Sequence, residues 1–132
     1  MVTNIRNTDA ETFFSQELSQ LQREIDRLQR AVDAYRPDDP RASGQRAILQ
    51  QQRQNEQIVR ELTEYAHDPV RALLECRLQL GKARQAHARS RHGSAWTDLQ
   101  SDTWWNTRYR EQYLSDLSRR YETWLQERRD DH

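Results

Sequence analysis

The sequence predicts an all-α protein, an elongated four-helix bundle in which helices 1 and 2 form a long antiparallel hairpin packed like a coiled coil. Three observations carry that expectation. Phe14, Leu18, Leu21, Ile25, Leu28, Val32 and Tyr35 follow one another in unbroken 4-3 spacing, which writes a narrow apolar seam along one helix. Only three Gly and three Pro interrupt 132 residues rich in Arg, Gln, Glu, Leu and Ala, all good helix formers. The apolar share is 34% against 32% charged, and the mean hydropathy is −1.22, so the core must be thin. Disorder is the competing reading of such a polar chain, but it wants a large net charge, whereas 21 basic and 21 acidic residues cancel here. We therefore read residues 1–132 as a single helical domain.

Helix 1 is expected over about residues 9–36. Asn7, Thr8 and Asp9 are each competent N-caps, and Pro37 disfavours helical geometry in the residue before it. Some 27 residues would span about 40 Å, more than the diameter of about 36 Å for a compact chain of this length. A parallel homodimeric zipper is incompletely written. With Leu18 as an a position, Glu17, Glu24 and Ala31 fall at g and Gln22, Gln29 and Arg36 at e, and none gives an opposite-charge pair.

Helix 2, about 41–67, follows the turn Arg36-Pro37-Asp38-Asp39-Pro40. Asp39 can cap it with Pro40 in first position, and Ser43 ahead of Gly44 is the alternative. Ile48, Ile58, Val59, Leu62, Tyr65 and Ala66 have core-compatible spacing, but Gln50 to Gln57 is polar. Folded back on helix 1, Gln52 and Asn55 would stand opposite Leu28 and Ile25, where a buried amide costs stability and fixes register. The simpler expectation is that this stretch faces water or another subunit, making a second contact surface.

Helix 3, about 69–91, follows the same Asp-Pro punctuation at His67-Asp68-Pro69. It has two apolar faces, Leu73, Cys76, Leu80 and Ala83 on one and Val70, Leu74, Leu78 and Gly81 on another, so it is expected to sit between two neighbours. Arg77 and Arg84 fall between those faces and need acceptors. Residues 92–103 read as a loop anchored by Trp96 and Leu99. Helix 4, about 102–129, is capped by Ser101 or Asp102 and carries the stripe Tyr113, Leu114, Leu117, Tyr121, Trp124 and Leu125.

No reaction is written with comparable specificity. A phosphate-cradling glycine loop, a nucleophile elbow and a metal-binding carboxylate motif are all absent from the sequence. Cys76, His87 and His92 do not make a zinc site, since Cys76 and His87 lie about 16 Å apart on a continuous helix. Cys76 reads as a buried structural thiol, and the carboxylates read as solvent-facing, paired at best with Arg as in Asp26–Arg30 and Asp116–Arg120. We expect no catalytic residue, no metal and no cofactor, hence no enzyme. One cysteine excludes an internal disulfide and fits a reducing compartment, and no apolar run approaches membrane-spanning length. A cytoplasmic protein without a membrane partner is expected.

Two functional readings remain. The first is a helical protein–protein interaction subunit, an assembly, adaptor or chaperone-like part that binds another protein or oligomerises with itself. Adjacent helical residues diverge by about 100°, so Trp104 and Trp105 cannot both enter one core. Together with Tyr109 they are the expected partner-binding residues. The second reading is nucleic-acid binding through Arg77, Lys82, Arg84, Arg89 and Arg91, a run with no acid between Glu75 and Asp98, with Trp96, Trp104 and Trp105 available for stacking. On a helical wheel Lys82 and Arg89 lie about 120–140° from the face of Arg77, Arg84 and Arg91. One phosphate-facing stripe is therefore not formed, and neutralisation by acidic faces of the same assembly is the simpler expectation.

Overall fold

Among the described residues four helices follow one another, α1 Asn7–Ala34, α2 Pro40–Thr63, α3 Pro69–Arg91 and α4 Asp102–Asp130. The computed structural model describes residues 7–91 and 102–130, and the side chains of residues 10–89 and 107–128. Among these residues there is no strand. The local signals act where the chain places them. Asp39, in extended geometry, accepts from the Arg41 amide at 2.9 Å and caps α2, with Pro40 just inside the helix, so Ser43 is not the cap. Asp68 repeats the device ahead of α3, its carboxylate accepting from the Arg71 amide at 3.1 Å.

The C-termini are shorter than the sequence suggests. α1 stops at Ala34 and α2 at Thr63, four residues before the expected end. Beyond Thr63 the Tyr65 and Ala66 amides bond to the carbonyls three residues back, Leu62 and Thr63, at 3.0 Å each, and this tighter winding turns the chain toward Asp68-Pro69. Tyr65 and Ala66 still pack on the core.

Helices α1 and α2 pack closely as one antiparallel pair, and α3 and α4 as another. Arg53 donates to the Gln29 amide oxygen at 2.6 Å across the first pair. The second pair is pinned by Arg77–Glu122 at 2.9 Å and His87–Thr107 at 3.3 Å. The two hairpins face each other over a core that takes Ala10, Phe14 and Leu21 from α1, Val59 and Leu62 from α2, Cys76 and Leu80 from α3, and Leu114, Leu117 and Tyr121 from α4. Rings span the gap between hairpins. Phe13 and Phe14 each lie 5.0 Å from the Tyr121 centroid, Trp124 stacks on Tyr121 at 5.6 Å, and the Tyr121 hydroxyl donates to the Pro69 carbonyl at 2.8 Å. A few large rings thus do what many aliphatic side chains would do in a less polar chain.

The seam of α1 is only partly covered. Phe14, Leu21 and Leu28 are buried, whereas Leu18, Ile25, Val32 and Tyr35 are half-buried, so every second member of the 4-3 series sits at the rim of the α1–α2 contact.

The polar middle of α2 does not face water, contrary to expectation. Gln51, Gln52 and Asn55 are 2%, 9% and 0% exposed, while Gln50, Arg53 and Gln57 point outward. The reason is register: Ala42, Leu49, Gln52, Asn55, Val59 and Leu62 recur at helical spacing and all lie buried, so the amides occupy the core face. Leu49, not Ile48, is the buried aliphatic residue there. Asn55 donates to the Gln52 side-chain oxygen at 3.0 Å, but the acceptor oxygens of Gln51 and Asn55 have no hydrogen-bond partner. An unmatched buried acceptor costs about 1–3 kcal/mol. Asn55→Leu, of comparable size, is therefore expected to raise the unfolding free energy by about 1 kcal/mol or more, read as a higher urea midpoint at unchanged slope. A lower midpoint would instead mark the amide as a register-fixing contact.

Candidate interaction surface

Helix α3 is amphipathic in an unusual sense, apolar on opposite sides. Ala72, Cys76, Leu80 and Ala83 are buried against the rest of the bundle. Val70, Leu74 and Leu78 lie roughly 165° around the helix from that face. They are 46%, 55% and 51% exposed. The expectation that α3 sits between two neighbours is thus corrected: the bundle covers one of its apolar faces and leaves the other open. Gly81 continues the open row, and a side chain placed there would meet nothing within 4 Å. The row runs for about 16 Å along the helix axis.

Cations line this row on both sides. Arg71, Lys82 and Arg89 fall on one flank and Arg77 and Arg84 on the other, as the helical wheel requires. The second flank is held by α4, through Arg77–Glu122 at 2.9 Å and Arg84–Glu111 at 3.9 Å. These acids supply the acceptors that Arg77 and Arg84 needed. On the first flank Arg71 pairs with Glu75 at 3.1 Å, one helical turn on. Lys82 and Arg89 are exposed and have no ion-pair partner among the described residues. The side chain of Arg91, the last of the five basic residues singled out in the sequence, lies outside the described residues.

At the start of α4, Trp104 and Trp105 lie within the helix, but their side chains, like Trp96 altogether, are outside the described residues. Tyr109 is half-buried beside Glu24 and Arg27 of α1. Burial, and after it the Glu24 carboxylate, hold its hydroxyl pKa above the ordinary phenol value. Tyr109 thus belongs in part to the contact between α1 and α4.

One cluster escaped the sequence reading. Glu17, assigned above to a solvent-facing flank, is 6% exposed. Arg120 grips it with both terminal nitrogens, at 2.7 and 3.0 Å, and the Tyr113 hydroxyl donates to it at 2.6 Å. The Nε of Arg120 reaches Asp116 at 2.7 Å in the same stroke. Asp116, bonded by Arg120 and Arg119, is held below the usual carboxylate range, while burial and then Glu17 push the Tyr113 hydroxyl far up. The Asp116–Arg120 pair expected on a helix surface is real, but it is the outer half of a tie between α1 and α4. The Asp26–Arg30 pair takes another form, since Arg30 Nε bonds the Asp26 carbonyl at 3.4 Å. Glu17 does stand at helical spacing from the buried Ala10, Phe14 and Leu21, but its charge argues for a solvent-facing position and nothing local names the arginine that offsets it.

Cys76 is fully buried, and burial with the nearby Glu75 pushes its thiol up to about 12. The groove of Gln57, Glu61 and Lys82 between α2 and α3 and the groove of His87, Arg108 and Glu111 along α4 are open channels lined by long polar side chains. Among the described residues, no three His, Cys, Asp or Glu side chains converge on a metal site, and no helix is long and apolar enough to cross a membrane. Comparison with protein-family models, curated proteins and solved structures finds no match, so the surface itself is the ground for assigning a role.

Proposed function

We propose that the protein is a non-enzymatic helical subunit that contacts another protein through the outward face of α3. The observation that supports this reading is the exposed row of Val70, Leu74 and Leu78 on a well-formed helix. A chain this poor in apolar residues leaves three of its large aliphatic side chains in water, side by side, at a place where its own core gains nothing from them. Assembly, adaptor and chaperone-like roles all use such a face, with Trp104, Trp105 and Tyr109 as a second candidate contact at the α4 end and as the place for any self-association. A reducing cytoplasmic setting suits the free thiol of Cys76.

Nucleic-acid binding is the second reading, supported by the exposed Lys82 and Arg89, which have no ion-pair partner among the described residues. It is the weaker one because Arg77 and Arg84 already answer to α4, and because a phosphate backbone has no use for the leucines between the cations.

The buried Cys76 makes a labelling test clean, since the native chain has no reactive thiol of its own. In a Leu74→Cys variant the new thiol is expected to react rapidly with maleimide in the purified protein. In intact source cells it should react about tenfold more slowly, as for a partner present at tenfold its Kd. Ser43→Cys, at an exposed position on α2, is the control and should react alike in both. Equal rates for Leu74→Cys in both settings would sink the proposal. Protection in a lysate that vanishes on nuclease treatment would favour nucleic acid instead.

A further inference from the structure

The charges around the open face of α3 narrow what can lie on it. We propose that the occupant is an acidic amphipathic helix of a partner protein, its apolar side chains on Val70, Leu74 and Leu78 and its carboxylates against Lys82 and Arg89. This inference rests on the reading of α3 as a contact surface and adds the chemistry of what is bound.

Every charged residue of α3 that borders the row is basic, on both flanks, and the only acid of the helix, Glu75, lies farther round and is engaged by Arg71. A partner whose apolar stripe is edged with Glu or Asp matches that arrangement in both shape and sign. Among the described residues Lys82 and Arg89 are the cations of this helix that no ion pair engages, although Lys82 shares its groove with Glu61 of α2. Gly81 adds an independent observation. A glycine in a helix interior costs roughly 0.5–1 kcal/mol relative to alanine, and here no neighbour within the fold requires it, since a side chain would point into open space. The absent side chain leaves room for a helix backbone to approach closely over residue 81.

The alternatives fit less well. Two copies of α3 laid stripe to stripe, in either direction, bring basic flank against basic flank, and the acids beside them, Glu75, Glu122 and Glu111, are each already engaged by an arginine of the same copy. A flat anionic lipid surface would meet not only the cations but also the half-exposed Glu122 of α4 beside Arg77. A single helix, about 10 Å across, can lie along the row without covering that carboxylate.

The test uses the purified full-length protein and a fluorescein-labelled helical peptide of about twenty residues, a length at which an alanine-rich helix holds together in water. The peptide carries leucines at 4-3 spacing, glutamates on both flanks and alanine elsewhere, and two further versions replace glutamate by glutamine or by lysine. Fluorescence anisotropy should show the glutamate peptide binding about tenfold more tightly than the glutamine version, with the gap closing at high salt. Combining Lys82→Glu with Arg89→Glu should transfer the preference to the lysine peptide. Leu74→Ser with Leu78→Ser should abolish binding, and Gly81→Leu should weaken it about tenfold, all with the urea midpoint no lower than that of the wild type. Equal affinity for the three peptides, or binding that survives loss of both leucines, overturns the inference. So does Leu74-dependent binding to phosphatidylserine–phosphatidylcholine vesicles or to oligothymidylate when the glutamate peptide fails, and so does a Leu74-dependent dimer in light scattering. If the Leu74→Cys thiol is protected in cells and the glutamate peptide does not bind, the contact surface stands and its acidic occupant falls. If that thiol is unprotected, the contact surface itself falls.

Discussion

Tyr121→Ala is expected to lower the unfolding free energy by about 3–5 kcal/mol, a large part of the roughly 5–15 kcal/mol that holds a domain together. The ring is fully buried where the two hairpins meet, in contact with Phe13, Phe14 and Trp124. Its removal opens a cavity that neighbouring rings cannot fill without leaving their own partners, and it removes the hydroxyl bond that ties α4 to the Pro69 carbonyl at the start of α3. In thermal unfolding the loss should appear as a fall of about 10 °C or more. Tyr121→Phe keeps the ring and loses only the hydroxyl bond, so it should cost about 0.5–1.5 kcal/mol. Two variants of equal stability would mean that the ring contributes nothing as packing, and the aromatic centre of the bundle would have to be redrawn.

Arg120→Met should cost about 1–3 kcal/mol, the consequence of leaving the buried Glu17 carboxylate short of two hydrogen bonds, less than for a fully buried pair because Arg120 itself is 39% exposed. The size follows from what is left behind. Glu17 would remain buried with the Tyr113 hydroxyl alone to offset its charge, and Asp116 would lose its principal cation. Glu17→Met is expected to be milder, because Arg120 is partly exposed and keeps Asp116. In the double variant the losses should not add, since the stranded charge is gone, and the coupling between the two sites should fall between about 0.5 and 3 kcal/mol. The pH dependence has a definite sign. Asp116 has a lowered pKa in the folded chain, so its contribution is complete above the ordinary Asp value of 3.8 and disappears as the pH falls through the folded value. The gap between wild type and Arg120→Met should therefore narrow in acid. Denaturant midpoints across the acidic range measure this, and a gap that widens in acid would contradict the assigned pairing.

What could be read from the sequence was what local chemistry decides. The 4-3 series of α1 and the Asp39-Pro40 and Asp68-Pro69 starts require only neighbours a few residues away, and they act as written. Glu17 shows the opposite case. Its burial depends on Arg120, 103 residues later, and a glutamate beside an apolar seam looks the same whether it meets water or an arginine from another helix. The amides of α2 were legible in principle, since Gln52 and Asn55 share the spacing of Leu49, Val59 and Leu62, but polarity argued against the periodicity and the periodicity won. On α3 both apolar faces were visible. Which of them the bundle would cover is a property of how two hairpins meet, and no pattern within residues 69–91 records it.

That uncovered face is the centre of the account, and the most direct measurement on it is the ratio of maleimide reaction rates of the Leu74→Cys thiol in intact source cells and in the purified chain. Referred to Ser43→Cys, the expected ratio is well below one, on the order of a tenth, and returns to one when Leu78→Glu removes the rest of the contact. A ratio of one for Leu74→Cys itself would show that nothing lies on the outward face of α3, and would contradict the proposal that this bundle exists to bind another protein there.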